Sequence, residues 1–377
     1  MRILHVLAER GFSGGENQLL ATLRFLASRG HEQELVLDER AQFQDAAREI
    51  GIEFRELRFR NNLDPIAATQ LRKIYRESGV DLIHLACSRS HKIGALAGVF
   101  GGGLPPKVVV RRMDYPIGNS PFRRWMYGKA VDRVVAISTG VRDAVLQIGV
   151  DPSCIELIHE GVDTLKFGGL REPGRRDLAR RRFDLTEKDF FGVTTASLHV
   201  RKAHDVLLNA LRAVSVPADR RLVWLFGGDG PEREKLRAQA ATLPENVEVR
   251  IPGQIDYVED ALSAADAFCL PSRYEGLGVA LLEAFSTGVP CVASQVGGMK
   301  DVLVSGESGI HVQPEDVDGL AVAIQSLVDD PALCARLGDA GKQRAEEHFD
   351  IELMGRKTEA LYLELTGQPP MSASRGS

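Results

Sequence analysis

The sequence predicts an α/β protein built from two doubly wound parallel sheets, and three observations carry that expectation. The 377 residues exceed what one ordinary core accommodates. Short β-branched or Leu-rich runs alternate with amphipathic helical patterns along the whole chain. The alternation is interrupted once, near 166–190, where Gly168-Gly169-Leu170-Arg171-Glu172-Pro173-Gly174 breaks the pattern. Two Rossmann-like domains facing across a cleft follow, covering 1–167 and 168–350. A helix near 351–366 is expected to pack back on the first, and 367–377 to form a disordered tail.

The expected strands of the first half are 2–8, 33–37, 81–86, 107–111, 132–137 and 155–158, with helices such as 15–28 and 65–77 between them. The second half offers strands at 191–197, 222–226, 247–251, 266–270 and 290–293. Helices are expected there near 203–214, 231–241, 278–287 and 316–328, and then over 331–347 and 351–365. Met1–Leu7 reads as a first strand, not a leader, because Glu9-Arg10 cuts the apolar run short. No run reaches the length of a membrane span. The five cysteines are scattered without metal or disulfide spacing, so buried reduced thiols are expected.

The net charge of −5 hides an asymmetry, with +2 on residues 1–165 and −7 on the remainder. Within the first half, 107–142 carry +6. Inside that stretch, 119–129 mix Phe122, Trp125 and Met126 with Arg123, Arg124 and Lys129, the composition of an interfacial segment. Attachment to an anionic membrane surface is one reading, and packing under the first domain is the other.

Ligands of open α/β sheets bind beyond the carboxyl ends of the strands, so the chemistry is expected in the loops there. The strongest signal is Pro271-Ser272-Arg273-Tyr274-Glu275-Gly276-Leu277-Gly278-Val279, which ends a buried strand and opens a helix carrying Glu283. A helix start offers free N–H groups to hydroxyls and diphosphate oxygens. Two carboxylates beside it suit the vicinal diols of a sugar and a ribose. In Ala196-Ser197-Leu198-His199-Val200-Arg201-Lys202-Ala203-His204, adjacent cations at a helix start oppose the dipole, and a bound diphosphate would reverse that cost. His199 and His204 read as surface residues. Gly14-Gly15 opens the first helix and permits close approach of a ligand, while Gly228-Asp229-Gly230-Pro231 reads as a tight structural turn. Asp316-Val317-Asp318 is formally an Asp-x-Asp, but at a helix start it reads as capping acid, not a metal site.

Taken jointly, these features resemble the family-four retaining glycosyltransferases of the GT-B fold, nearer to the lipopolysaccharide-core and cell-envelope sugar transferases. The resemblance rests on Gly14-Gly15, Gly161-Val162-Asp163…Phe167, Arg201-Lys202, Gly228-Asp229-Gly230-Pro231, the Glu275/Glu283 pair and Gly297-Gly298. It implies that Arg201 and Lys202 hold the diphosphate and that Glu283 holds the donor ribose. It also places Glu275 and the amides of Gly276, Leu277, Gly278 and Val279 on the transferred sugar. Gly14, Gly15, Ser197 and the backbone at Gln254 complete the expected donor contacts.

Two departures matter. Ala196-Ser197-Leu198 stands where many members carry Gly-Arg-Leu, leaving the charge to Arg201. Val110-Arg111-Arg112-Met113-Asp114 stands where many carry Thr-x-His, so Arg111 and Arg112 become acceptor candidates and Asp114 a catalytic one. The expected partners are a nucleotide-diphosphate sugar and a saccharide or lipid-linked acceptor. No metal, cofactor or nucleic acid is expected, and the chain is expected to act as a cytoplasmic monomer. A nucleotide-sugar epimerase or hydrolase, or an inactive nucleotide-sugar-binding partner, is the alternative.

Overall fold

Strands apolar on both faces must be covered on both sides, and helices between parallel strands do this. The computed structural model describes residues 1–99 and 103–369. Its contacts divide the chain into Met1–Glu160 together with the segment from Ile351, and Gly161–Asp350.

The first unit holds β1 Arg2–Leu7, β2 Glu32–Asp38, β3 Phe54–Leu57, β4 Leu82–Leu85, β5 Lys107–Arg111, β6 Arg133–Ala136 and β7 Ile155–Leu157. They form one parallel sheet in the order β3-β2-β1-β4-β5-β6-β7. The second holds β8 Phe190–Thr195, β9 Leu222–Gly227, β10 Val247–Gly253, β11 Ala267–Leu270, β12 Cys291–Ser294 and β13 Ile310–Val312, in the order β10-β9-β8-β11-β12-β13. Each sheet therefore reverses its winding once, between β1 and β4 and between β8 and β11.

Two strands lie outside the sequence expectation. β3 is a sheet edge with Arg55 and Glu56 exposed, and β13 has three residues. Neither carries a buried run long enough to register as a strand. The division after Glu160 also lies upstream of the expected 167. Val162 pairs with Asp350 and donates to the Phe349 carbonyl at 2.8 Å, which places the short helix Thr164–Gly168 within the second unit.

The interrupted stretch is itself ordered. Its helix Pro173–Arg182 lays Arg176 and Arg180 on the last carbonyls of the helix Val258–Ala264, from Ser263 to Ala265, and on Asp266 at 2.6 and 3.0 Å. Cations thus satisfy a helix C-terminus. In β8, Gly192 makes room for Trp224, since a Cβ there would lie 2.2 Å from the indole.

The helix Ile351–Thr366 belongs to the first unit, seating Gly355 against Phe25 and placing Glu359 2.8 Å from His31 and 3.3 Å from Arg29. It ends at Gly367, whose φ is +65°. Residues 370–377, the greater part of the expected disordered tail, lie outside the described residues. No helix among the described residues is long and apolar enough to cross a membrane.

Residues 119–129 contain the helix Pro121–Gly128. It commits Met126 and Tyr127 to the core and packs Trp125 against it, leaving Phe122, Arg123 and Arg124 exposed. All five cysteines are free, but only Cys269 and Cys291 are buried. Cys87, Cys154 and Cys334 lie at the core margin, a correction to the expectation for all five.

Besides His31, the first unit buries three further histidines. His5 and His84 face each other across β1 and β4 with Nδ1 atoms 2.8 Å apart, and His91 meets the Met126 carbonyl at 3.0 Å. Burial pushes His5 down to about 3 and His91 to about 4, and it holds His84 well below the ordinary range. The unfolded chain takes up these protons below about pH 6.5 and the folded unit does not. The stability from neutral imidazoles is therefore complete above that pH and is lost on acidification, at about 2 kcal/mol each for His5 and His91 by pH 5 and in the same direction for His84. In the second unit, His204 at about 3 is opposed by Glu283, whose carboxyl burial pushes up to about 7. The two tryptophans, Trp125 and Trp224, report one unit each. In single-tryptophan variants, the urea midpoint read at Trp125 should fall more between pH 7.5 and 5 than that read at Trp224. Equal shifts would contradict this account.

Candidate active site

The loops after β8 and β11 meet where the second sheet reverses its winding. After β8 the chain runs through Ala196–His199 into a single 3₁₀ turn, Val200–Lys202, and then the helix His204–Leu211. The turn is set by bonds from the Lys202 amide to the His199 carbonyl (2.9 Å) and from the Ala203 amide to the Val200 carbonyl (3.1 Å). Ala203 is left-handed, with φ +54°, and no side chain caps the helix it opens. A strained non-glycine residue there fixes where the two preceding cations point.

Lys202 is buried and its Nζ donates to Glu275 on the loop after β11. Ser272 Oγ donates to the same carboxylate oxygen at 3.2 Å. Burial alone would raise the Glu275 carboxyl, but Lys202, with Arg201 adding its field, outweighs it and holds the group below the ordinary range. Arg201 is half-buried beside this pair.

The helix Val279–Thr287 starts from Gly278, whose φ of +91° only glycine adopts readily, and no side chain caps it. The Leu281 amide turns back to the Gly278 carbonyl at 2.8 Å, which leaves the amides of Val279 and Ala280 as the first-turn donors a ligand could meet. The Gly298 amide latches the loop from behind, donating to the carbonyls of Gly276 (3.0 Å) and Glu275 (3.4 Å).

Glu283 has different company. Its carboxyl is raised to about 7 by burial first, with Lys166 pulling it down and Glu259 pushing it up; those two form an ion pair at 2.6 Å. Ser197 is half-buried beside the cationic turn, and Gln254 is exposed at the end of β10.

The turn Gly228-Asp229-Gly230 buttresses this site. A Cβ at Gly228 would lie 2.0 Å from the Ala196 carbonyl oxygen, and one at Gly230 would lie 2.4 Å from that of Leu198. The Leu198 amide donates to the Asp229 carbonyl at 2.9 Å. His204 is not a surface residue as expected. It lies on the apolar face of its helix with Leu207, Leu208 and Leu211, edge-on to Phe226 at 4.8 Å. Asp316 caps the helix Val317–Asp329 by accepting from the Gly319 amide at 2.8 Å.

The remaining candidates belong to the first unit. Ser13 and Glu16 form a capping box around Gly14 and Gly15, with Glu16 accepting from the Ser13 amide (2.8 Å) and hydroxyl (2.6 Å). The Ser-Gly-Gly-Glu spelling could have signalled it. Arg112 pairs with Glu160 at 2.7 Å, donates to the Ala86 carbonyl and lies under Gly15, 3.2 Å from where a Cβ would be. Its guanidinium thus ties the loops after β4 and β7 together, while its stem packs under the start of the helix Gly14–Ser28. Arg111 donates to the Tyr127 hydroxyl (2.9 Å) and the Tyr115 carbonyl (2.7 Å). Asp114 is half-buried on the same loop. Sequence reasoning passes over Glu160, Ser272 and Arg273, although the last two sit inside the quoted motif.

Both units match known families. Residues 175–344 match the family model for glycosyl transferases group 1, and residues 12–166 that for Glycosyltransferase Family 4. The chain belongs to the family-four glycosyltransferases of the GT-B fold. It is 37% identical over 140 residues to a glycogen synthase of Mycobacterium tuberculosis, covering 37% of this chain and 34% of that protein. It is 28% identical over 309 residues to a GDP-mannose-dependent monoacylated alpha-(1-6)-phosphatidylinositol monomannoside mannosyltransferase of Corynebacterium glutamicum, covering 78% and 79%. The crystal structure of Anabaena Alr3699/HepE in complex with UDP shares the fold, with a TM-score of 0.84 at 19% identity over 97% of this chain and 100% of that one.

Gly228→Ala drives a methyl into the Ala196 carbonyl. It should cost about 1–3 kcal/mol of stability and weaken binding of UDP or GDP measured by calorimetry. Wild-type stability with wild-type nucleotide binding would remove the buttress role.

Proposed function

We propose that the protein transfers a hexose-type sugar from a nucleotide-diphosphate donor to a saccharide or glycolipid acceptor, with retention, in cell-envelope synthesis of a lipopolysaccharide-like glycan. The observation that carries this reading is the buried Lys202–Glu275 pair. It joins a cationic turn after β8 to a carboxylate loop that opens an uncapped helix after β11. A diphosphate takes the cations and helix amides, and the transferred sugar takes Glu275, held ionised and able to accept from hydroxyls. The acceptor is assigned to the first unit, at Arg111 and Asp114, with Arg112 bracing the loops around them. The activities of the relatives, glycogen synthesis and mannosyl transfer to a phosphatidylinositol mannoside, favour saccharide or glycolipid acceptors.

As the anomeric C–O bond breaks, its electron pair passes to the diphosphate oxygen. Lys202 and Arg201, fixed in advance, stabilise the growing charge. The acceptor hydroxyl attacks from the face the diphosphate leaves, and its proton passes to the departing phosphate. No side-chain nucleophile or metal is needed in this scheme. Membrane attachment through 119–129 is reduced to Phe122, Arg123, Arg124 and Lys129, whose cations contribute about 1 kcal/mol each near an anionic surface.

The test incubates the protein with radiolabelled UDP- and GDP-sugars and saccharide acceptors, free or displayed on anionic vesicles, with and without excess chelator. Transfer that survives chelator is expected, with vesicle display raising the rate. Epimer, free sugar or binding alone would replace the proposal. Lys202→Ala and Arg201→Ala should each lower turnover about 10²–10³-fold, and near-normal turnover in both would defeat the diphosphate assignment.

If Glu283 holds the ribose as a carboxylate, it must first lose a proton that it keeps up to about pH 7. Donor affinity should therefore rise about tenfold from pH 6 to 8. Glu283→Gln should flatten that profile, and a wild-type profile without slope would reject the assignment.

A further inference from the structure

Arg273 lies within the carboxylate loop but reaches away from Glu275. Its guanidinium grips Asp205 with two bonds, at 3.0 and 2.9 Å, and also donates to Glu315 and to the Val200 carbonyl. Its backbone amide donates to the Arg201 carbonyl at 2.8 Å. One residue therefore holds the start and middle of the cationic turn, the first helical turn beyond it, and the loop before the helix Val317–Asp329.

Backbone strain marks the same place. Among the described residues, three non-glycine positions are left-handed, and two of them border Arg273's contacts. Ala203 (φ +54°) ends the turn that Arg273 holds, and Glu315 (φ +67°) supplies one of its carboxylates. Such conformations persist only where surrounding contacts over-determine them. The Asp205 carboxyl, which burial would raise, is held low by Arg273.

We infer that Arg273 is a positioning residue for the diphosphate grip: by fixing the Val200–Lys202 turn against the loop after β11, it sets where Arg201 and Lys202 meet the donor phosphates. The inference rests on the donor-site reading above. Lysine could not reproduce the grip, because it lacks the planar fork that takes two carboxylates and a carbonyl together.

The test compares UDP with uridine, and GDP with guanosine, by calorimetry on the full chain. Arg273→Met should weaken the diphosphate that binds by about 10–100-fold, with its nucleoside changed less than twofold. Arg273→Lys should recover little of this, and Glu315→Gln, a milder change on an exposed partner, should give a smaller loss of the same kind. In a Lys202→Ala background, Arg273→Met should add less than threefold to the loss of turnover, since both act on one element. Parallel loss of nucleoside and diphosphate, or full additivity with Lys202→Ala, would make Arg273 merely structural and overturn the inference. If wild type binds nucleoside and diphosphate equally, the donor-site reading itself fails. If wild type discriminates and Arg273→Met discriminates as well, only the role of Arg273 fails.

Discussion

The second unit is organised around a buried ion pair. Lys202 and Glu275 are each about nine-tenths removed from water, and taking either partner away would strand the other at a cost of about 3–5 kcal/mol. That penalty ties two loops that are distant in sequence. Ser272 donates to the same carboxylate, and Arg201 beside the pair supplies the positive charge that Glu275 does not cancel. An arriving anion meets a cation already desolvated and already aimed. The nearby glycines serve the same constraint: Gly228 and Gly230 let one turn press against Ala196–Leu198, and Gly298 closes the loop from the other side.

The first unit solves the equivalent position differently. At its own winding reversal, between β1 and β4, it places a neutral His5–His84 pair within the sheet and Arg112 above it, clamped to Glu160. The charge there is internally balanced and the glycine turn is closed by its own capping box. Its own adjacent cations, Arg111 and Arg112, are engaged by the Tyr127 hydroxyl, the Tyr115 carbonyl and Glu160. The same architecture thus carries a polar, paired surface in one unit and a poised electrostatic one in the other.

Much of this was legible in the residues. Long helices with apolar stripes were readable, to within a residue at each end, with Pro65–Glu77 behind Asp64 matched at both ends. So were strands buried on both faces, because burial on both sides writes an uninterrupted apolar run. β3 and β13 were not legible, since Arg55-Glu56 break the apolar run of one and Gln313-Pro314 cut the other off, whereas β7, equally short and also at an edge, runs on into Ile158. The motif around Glu275 announced itself through glycine spacing. The role of Arg112 did not, because a clamp to Glu160 and a carbonyl is a tertiary fact. His204 misled for a similar reason: its position reads as a helix start, while the fold turns that start inward onto Phe226. Arg273 was visible as a letter of the motif, but its partners lie some 40 and 70 residues away.

The return of the last helix to the first unit has a bearing on how the chain is made. Phe25 packs on Gly355, and His31 and Arg29 on Glu359, so the earliest helix waits for the latest one. During synthesis the unit begun first is the unit finished last. The intervening unit holds all of its own strands and can close while the apolar flank around Ile3, Phe25 and Leu82 is still uncovered. That flank is the surface a nascent chain must keep from sticking until the helix Ile351–Thr366 has emerged to cover it.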